Sequence, residues 1–593
     1  MKSAYIIAGA VAALALTGCE DFLDSENYTG KDSSNFPVSE SDVNQMVAAV
    51  YNSTFYQQFA NNDCAEYMTW ANLASDDMYG GGGMNDQRTQ ALEHLLVNDI
   101  KDMAQLWTAG YEAIARANSA LTAVDNVASE ELRNQTKGEL LFLRAYNYFD
   151  LAKCFGNIPF VERAPETVKE AQTSPAQLDA KEIFKHIAAD LYEATQIMPA
   201  YTYDQSYTKL QYGKVTRWAA EALLARVYLF YTGFYNASSL PTAEGCAVAE
   251  ISKDYVVSCL NDIIEKSGHD LLADYRSLWA YSNEYTAKDY SYVKDDLAEK
   301  YKEGDKEVLL AINYKYLSEW SGTELQNTNQ YCLFFGVRTG NQDDSRFNID
   351  DPNSVYPFGM GWGVGPVAPN LVDDWKAEMT AEGVKDPRYD ASILELPSGF
   401  DYNVSDNWME ASGFHNKKLV AVRSGGGNAQ DGGFYSYCAE EMGGSSSGHY
   451  QASSYQRLIL IRYADVLLMH SELTATADGL NKVRARVGLP EVGYSLEAIQ
   501  KERRWELAFE GLRWDDIRRW HIAPEALAKQ LGGKIYNQGM QTVMKDQGDG
   551  YVARYNATQG FYKIPQEQID LANGSLKQNE GWEGAGCTYN QWN

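Results

Sequence analysis

The sequence predicts a mostly α fold in which helix pairs carry a loop-rich middle section. Three stretches lead to that class. The first is Thr136–Glu162, where Phe142, Ala145, Phe149 and Ala152 share one helical face and Leu141, Tyr148, Leu151 and Phe155 fill the next. Only a narrow polar strip around Arg144 and Lys153 remains, so this helix needs partners on several sides. The second is Lys214–Tyr235, which places Ala222, Ala225 and Tyr228 ahead of Gly233, Tyr235 and Ala237. Small residues where helices touch, followed by a Gly-x-Tyr turn, mark a degenerate tetratricopeptide-like hairpin. The third is the loss of helical periodicity between Asp270 and Gly448, where Gly, Asn, Asp, Ser, Tyr and Trp dominate.

Taken in order, the chain opens with Lys2, an apolar run from Ala4 to Leu16, and Leu16-Thr17-Gly18-Cys19. That run is too short to span a bilayer. The pattern is that of a bacterial lipoprotein signal over residues 1–18, with Cys19 as the lipidated first residue held to a membrane surface. Residues 19–36 are poor in apolar side chains and read as a flexible leash. A helical part is expected over 37–269. Val43, Met46, Val47, Val50 and Tyr51 form a stripe within 40–60, and further helices fall at Leu106–Val124, at the central stretch, at Ile183–Met198, at Lys214–Tyr235 and at Ile251–Lys266. The central helix ends at Gly156-Asn157, ahead of Pro159. Between Asn61 and Gln90 the four glycines Gly80–Gly83 exclude a helix and read as a surface loop.

Residues 270–450 form the loop-rich region, with a strand near Glu307–Asn313 and low-complexity loops at 424–428 and 443–448. Residues 451–593 form a C-terminal helical part: helices at Leu458–Thr476 and Ala477–Val487, and one from an N-cap at Ser495 through Trp520. In that last helix Glu502, Glu506, Glu510, Asp515 and Asp516 alternate with arginines at helical spacing. The pattern describes an internal ion-pair network rather than a phosphate site.

The 593 residues carry a net charge of −30; removal of residues 1–18 leaves 50 basic against 81 acidic residues, or −31. Such a surface repels nucleic acid. Besides Cys19, the cysteines at 64, 154, 246, 259, 332, 438 and 587 show neither paired nor zinc-like spacing and read as small core residues. No HExxH, Walker, dinucleotide or EF-hand motif is present. Gly444-x-Ser446-x-Gly448 lacks the strand and helix that a nucleophile elbow needs. Adjacent acids such as Asp76-Asp77, Asp343-Asp344, Asp373-Asp374 and Asp515-Asp516 do not by themselves set the spacing that glycoside cleavage requires. No cofactor is expected, although the acid-rich loops leave room for a structural calcium.

RWAAEALLARVYLF, LILIRYADVLLMHSEL, LNKVRARVGLP, ERRWELAFEGLRWDDIRRW and YKIPQEQIDLANGSLKQNEGW, in this order, resemble the SusD/RagB family. So do FLRAYNYFDLAKCFGNIPFVE, GMGWGVGPVAPNLVDDW and the following DPRYD. The resemblance implies a SusD-like fold, with tetratricopeptide-like helix pairs supporting an irregular binding region. It implies a non-catalytic lipoprotein on the outer face of the outer membrane. Such a protein captures oligo- or polysaccharide and passes it to a SusC-like TonB-dependent transporter. Peptide capture, as in RagB-like members, and a surface glycosidase are the alternatives. A sugar offers a C–H face for Trp or Tyr and hydroxyls for Asp, Asn or Arg. The family pattern places Asp76 and Asp77 in the small-acid-acid turn, with Tyr79, Asn85 and Asp86 beyond it and Trp362 as second aromatic. Asn329, Tyr331, Arg338 and Trp70 complete the candidate face. Where starch-binding members carry aromatics on the first loop this chain has Gly80–Gly83, so starch is not the default ligand.

Overall fold

The computed structural model describes the chain from Phe36 to Trp592, apart from 38, 56–66, 99–103, 166, 168–169, 171–174, 211–212, 283–285, 287–289, 295–305, 315–328, 339–349, 401, 403–406, 423–455 and 591. Cys19 with its signal and leash, Cys64, Cys438, the loops at 424–428 and 443–448 and the Ser446 motif lie outside the described residues.

The helical frame comprises α1 (Glu40–Thr54), α2 (Tyr67–Ala74), α3 (Gln87–Glu93), α4 (Ala104–Ala123), α5 (Glu130–Phe155), α6 (Ala180–Ile197), α7 (Arg217–Phe234), α8 (Lys253–Lys266), α9 (Pro369–Glu382), α10 (Tyr463–Thr474), α11 (Asp478–Arg486), α12 (Leu496–Glu506) and α13 (Arg513–Arg519). Neighbours stack in sequence: α1 on α4, α4 on α5, α5 on α6, α6 on α7, α7 on α8, then α8 on α10 and α10 on α11 and α12. Helix α5 lies at the centre, capped by Ser129 and stopped by Gly156 at φ +65°, and buries both apolar faces that its sequence displays. At Gly233 a Cβ would stand 2.7 Å from the Arg519 carbonyl, which is why the hairpin turn of α7 needs glycine. Cys154, Cys259, Cys332 and Cys587 are buried free thiols and Cys246 is partly buried.

Two expected helices are divided. Leu458–Arg462 is β2, paired antiparallel with β1 (Val308–Ile312), and only from Tyr463 does the chain turn into α10. A short apolar run with isoleucines fits either element, and the distant partner strand decides. The Ser495–Trp520 stretch breaks after Glu506, with Phe509 at φ +68° and Gly511 at φ +74°. Asn72 fastens the break: its Nδ2 donates to the Phe509 carbonyl at 2.9 Å and its Oδ1 accepts from Gly511 N–H at 3.0 Å.

The acid–arginine pattern of this region becomes a buried network. Arg462 bridges Glu307 (2.9 Å), Glu506 (2.6 Å) and Glu510 (2.7 Å). Arg388, from the loop-rich part, reaches Glu506 at 2.9 Å and also binds Glu502 and Asp386. Arg486 joins Glu307 to Glu506. Burial pushes the Glu506 carboxyl up, but Arg486, Arg462 and Arg388 outweigh it and hold the group well below the ordinary range. A second cluster runs Arg226–Asp465–Arg503–Asp516–Arg519, with N–O distances of 2.6–2.8 Å.

Asp465 supplies a stability prediction. Burial opposes its ionisation, and the guanidinium groups of Arg226 and Arg503 overcome this, lowering its pKa from 3.8 to about 2. A depressed folded-state pKa contributes stability above the unfolded value that is lost as pH falls through the folded one. Asp465→Asn leaves buried Arg503 and partly exposed Arg226 each short of a partner and should cost about 3 kcal/mol near neutrality. In urea unfolding the gap between wild type and variant should narrow as pH falls from about 4 to about 2; a gap independent of pH would refute the pairing.

Gly80 supplies another. Its Cβ would sit 2.4 Å from the Gln90 Cα, whereas a Cβ on exposed Gly493 meets nothing within 4 Å. Gly80→Ala should therefore destabilise by roughly 1–3 kcal/mol, and Gly493→Ala should stay within about 0.5 kcal/mol. Thermal unfolding of the two variants compares them directly.

Candidate functional site

Helix α2 leads into the Ser75-Asp76-Asp77 turn. Ser75 Oγ donates to the Asn72 carbonyl at 2.7 Å and accepts from Asp77 N–H at 3.2 Å. Both acids point inwards. Asp76 takes a fork from Arg513 (2.7 and 2.9 Å), and Asp77 pairs with Arg504 at 2.8 Å. Burial raises Asp76, and Arg513 and Arg504 more than reverse it; at Asp77 burial prevails over Arg504, helped by Asp76.

The glycine stretch that follows is buried, not a surface loop. It is laid between two other segments: Tyr79 N–H donates to the Pro366 carbonyl (2.8 Å), Gly82 N–H to Gly363 (2.8 Å), and Met409 N–H to Gly82 (2.9 Å). Gln90 Nε2 donates to the carbonyls of Gly81 (2.8 Å) and Gly83 (3.0 Å). Gly81 at φ +64° and Gly82 at φ +74° supply the turn. A glycine run satisfies its own polar groups poorly, but backbone partners on both sides make burial affordable here.

Only beyond Gly83 does the chain surface, at exposed Met84 and Asn85. Asp86 folds back beneath them, accepting from Gly83 N–H at 2.6 Å, with Arg338 Nη1 3.6 Å from its carboxylate. Burial pushes the Asp86 carboxyl up; Gly83 N–H and Arg338 work against this. Arg338 also donates to the Trp362 carbonyl at 2.9 Å, and both Arg338 and Trp362 are half-buried. Buried Asp86, half-buried Arg338 and half-buried Trp362 are thus linked, and with exposed Asn85 next to Asp86 in the chain they form a rim on this base.

The other six candidates are interior, which corrects the sequence expectation. Trp70 is fully buried between Trp514, Tyr562 and Tyr67. Asp76 and Asp77 are held by arginines as described. Tyr79 is buried and donates its hydroxyl to the Gln530 carbonyl at 3.0 Å. Asn329 donates to the Gln456 carbonyl at 2.6 Å and accepts from Cys332 N–H. Tyr331 is buried beside Phe335.

Sequence reasoning missed a neighbouring aromatic group. Trp408 is buried beside Gly363, whose Cβ would lie 3.1 Å from its Nε1. On its other side Tyr402 packs at 5.5 Å and stacks on Tyr536 at 4.3 Å with 7° between the rings. Tyr402 and Tyr536 are half-buried and Asn407 is exposed. The Asn- and Asp-rich stretch 401–408 carries an aromatic signal; nothing local marks Tyr536, which arrives by tertiary pairing of Ala411 with Tyr536. A partly open cavity lies elsewhere, lined by Tyr67, Lys153, Arg503 and Asp515 among others. Among the described residues, one group of three can meet a metal: Glu93, His94 and Glu410, beneath the glycine stretch.

Comparisons with known proteins agree with this architecture. A family model described as the SusD family matches residues 329–582, and one described as starch-binding associating with outer membrane matches 21–229. A SusD-like protein of Bacteroides ovatus is 24% identical, the alignment covering 96% of this chain and 94% of that protein. A SusD-like protein of Formosa agariphila is 23% identical over 88% of this chain and 91% of its own. Among solved structures, a laminarin-binding SusD-like protein shares the fold with a TM-score of 0.64 at 24% identity, covering 91% of this chain and 99% of that one. Surface glycan-binding protein A of Bacteroides thetaiotaomicron, in complex with laminarihexaose, does so with a TM-score of 0.62 at 19% identity and the same coverage. The two matched segments, the near end-to-end relatives and the shared helical frame lead to one conclusion: the chain belongs to the SusD family.

Proposed function

We propose that this protein is a non-catalytic glycan-binding lipoprotein on the outer face of the outer membrane, which delivers oligo- or polysaccharide to a SusC-like TonB-dependent transporter. The observation that carries the reading is the rim: half-buried Trp362, whose carbonyl accepts from the Arg338 guanidinium, with exposed Asn85 next to Asp86, on a base whose backbone groups are already paired. An indole face takes the C–H face of a sugar, while Arg and Asn take its hydroxyls. The Tyr402–Tyr536 stack extends the aromatic surface on the far side of Trp408. Relatives of this fold named for laminarin and laminarihexaose make a β-glucan the first ligand to try.

Binding without cleavage is supported by the commitment of the paired acids. Asp77 and Asp374 are held by Arg504, Asp76 by Arg513, Asp515 by Lys153 and Asp516 by Arg503. An acid–base pair for glycoside cleavage needs carboxyl groups facing substrate with separated pKa values. Asp343-Asp344 lies outside the described residues. The membrane location is supported by the lipoprotein pattern at Cys19 and by a family description that names the outer membrane. Among the described residues no helix is long and apolar enough to cross a membrane.

Titration calorimetry with laminarihexaose, a polysaccharide panel and a peptide pool tests the ligand class. Trp362→Ala should weaken glycan binding at least tenfold, about 1.4 kcal/mol, with the protein still folded at the assay temperature. Binding of peptides alone, or release of reducing ends from a bound glycan, would overturn the reading. Cys19→Ala should shift the protein from the membrane to the soluble fraction of the producing cell; unchanged membrane attachment would exclude the anchor.

A further inference from the structure

Beneath the glycine stretch lies a cluster that the rim does not use. Glu93 ends α3, His94 follows it, and Glu410 arrives from the segment beside Gly82. One donor atom from each lies within 4.8 Å of the others, and all three side chains are fully buried. The His94 ring stacks on Tyr551 at 4.5 Å and lies 6.4 Å from Tyr589. Its Nε2 is 4.0 Å from Glu93 Oε1, and neither ring nitrogen has a hydrogen-bond partner. A wholly buried imidazole with both nitrogens unmet is costly and calls for a reason.

The carboxylates are held in place from outside the cluster. Glu93 Oε2 accepts from Gly80 N–H at 2.5 Å, and its Oε1 accepts from the Tyr551 hydroxyl. Glu410 Oε2 accepts from Gly81 N–H at 2.8 Å, and its Oε1 from the Trp592 indole N–H at 2.6 Å. Such outer partners orient carboxylates in metal sites. Among the described residues no Arg or Lys forms an ion pair with either acid, whereas buried Glu139, Glu221, Glu502 and Glu506 each have one. Two acids and an imidazole are therefore enclosed without a balancing cation.

We propose that Glu93, His94 and Glu410 bind a divalent transition metal of the zinc class, which fastens the end of α3 to the segment beside Gly82, beneath the glycine stretch. One imidazole nitrogen with two carboxylate oxygens suits zinc or cobalt; calcium takes six to eight oxygens. Ligand bonds of about 2.0–2.2 Å require the three donors to draw together by roughly one ångström. The charge of a 2+ ion offsets both carboxylates, and Nε2 gains the partner it lacks. Because the site is closed to solvent, the metal enters as the chain folds.

The experiment uses the full mature chain, refolded with Zn²⁺, with Ca²⁺ or with EDTA, then desalted. Elemental analysis should find about one zinc per chain and no retained calcium, and the zinc-refolded protein should melt several degrees above the EDTA sample. Refolding with Co²⁺ should give a visible ligand-field absorption band that Glu410→Gln and His94→Ala each abolish. Equal melting under all three conditions with no retained zinc would overturn the proposal and leave a proton-sharing acid pair. Retention of calcium instead of zinc would overturn it as well. The wild-type comparison stands whether or not the variants fold, and none of these readouts depends on glycan binding.

Discussion

The structure depends on one constraint: the guanidinium groups of Arg388, Arg462 and Arg486 are buried, and each must find its carboxylate there. A lone charge in such surroundings costs several kcal/mol, and a paired one must be well oriented to recover it. The paired partners come from far apart in the chain: Glu307 ahead of β1, Asp386 from the loop-rich part, Glu502, Glu506 and Glu510 from α12 and its continuation. A guanidinium fork accepts a narrow range of geometries. The network therefore acts less as a source of stability than as a set of pins that dock the irregular middle on the helical stack in one orientation.

The same logic reaches the rim by a second route. Arg504 and Arg513, either side of the Asn72-fastened break, hold Asp76 and Asp77 and so fix where α2 hands over to the glycine stretch. From there Gly80–Gly83 is threaded between 363–367 and 407–411 by backbone pairing, backed by the side chains of Gln90, Glu93 and Glu410, with Arg338 holding the Trp362 carbonyl. A binding face assembled from loops has to be stiff to limit the ordering cost of binding. Here the stiffness comes from buried charge and buried backbone, not from regular secondary structure at the face itself.

The helical frame is legible in the sequence because it rests on local periodicity. The two faces of α5, its stop at Gly156 and the small residues of α7 are all properties of neighbours a few positions apart. The ionic interleaving of 501–520 is legible for the same reason, and its reading as an internal network matches the structure. The division at Leu458–Arg462 is not, since it depends on a strand some 150 positions earlier. The break at Phe509–Gly511 depends on Asn72, which no local pattern reveals. Four glycines exclude a helix, but whether they lie outside or inside is a tertiary matter, and they lie inside. The site was legible only in part. Asn85, Asp86, Arg338 and Trp362 come together, whereas Trp70, Tyr79 and Tyr331 are large aromatics whose burial is decided by what packs on them. Tyr402 and Tyr536 become one surface through a pairing that sequence order conceals.

This division between frame and tips bears on how such a protein changes its ligand. The solved relatives keep the fold at 17–24% identity, with TM-scores of 0.58–0.66. Most residues have therefore changed while the frame persists. Buried pins such as Arg462 or Asp76 cannot vary singly, because the partner left behind is charged and enclosed. Exposed side chains such as Asn85 carry no buried charge and can vary singly, while the rings of Trp362, Tyr402 and Tyr536 are half-buried and present an open edge. Gly80–Gly83 is consistent with that division: the positions serve the buried base, where only a missing side chain fits.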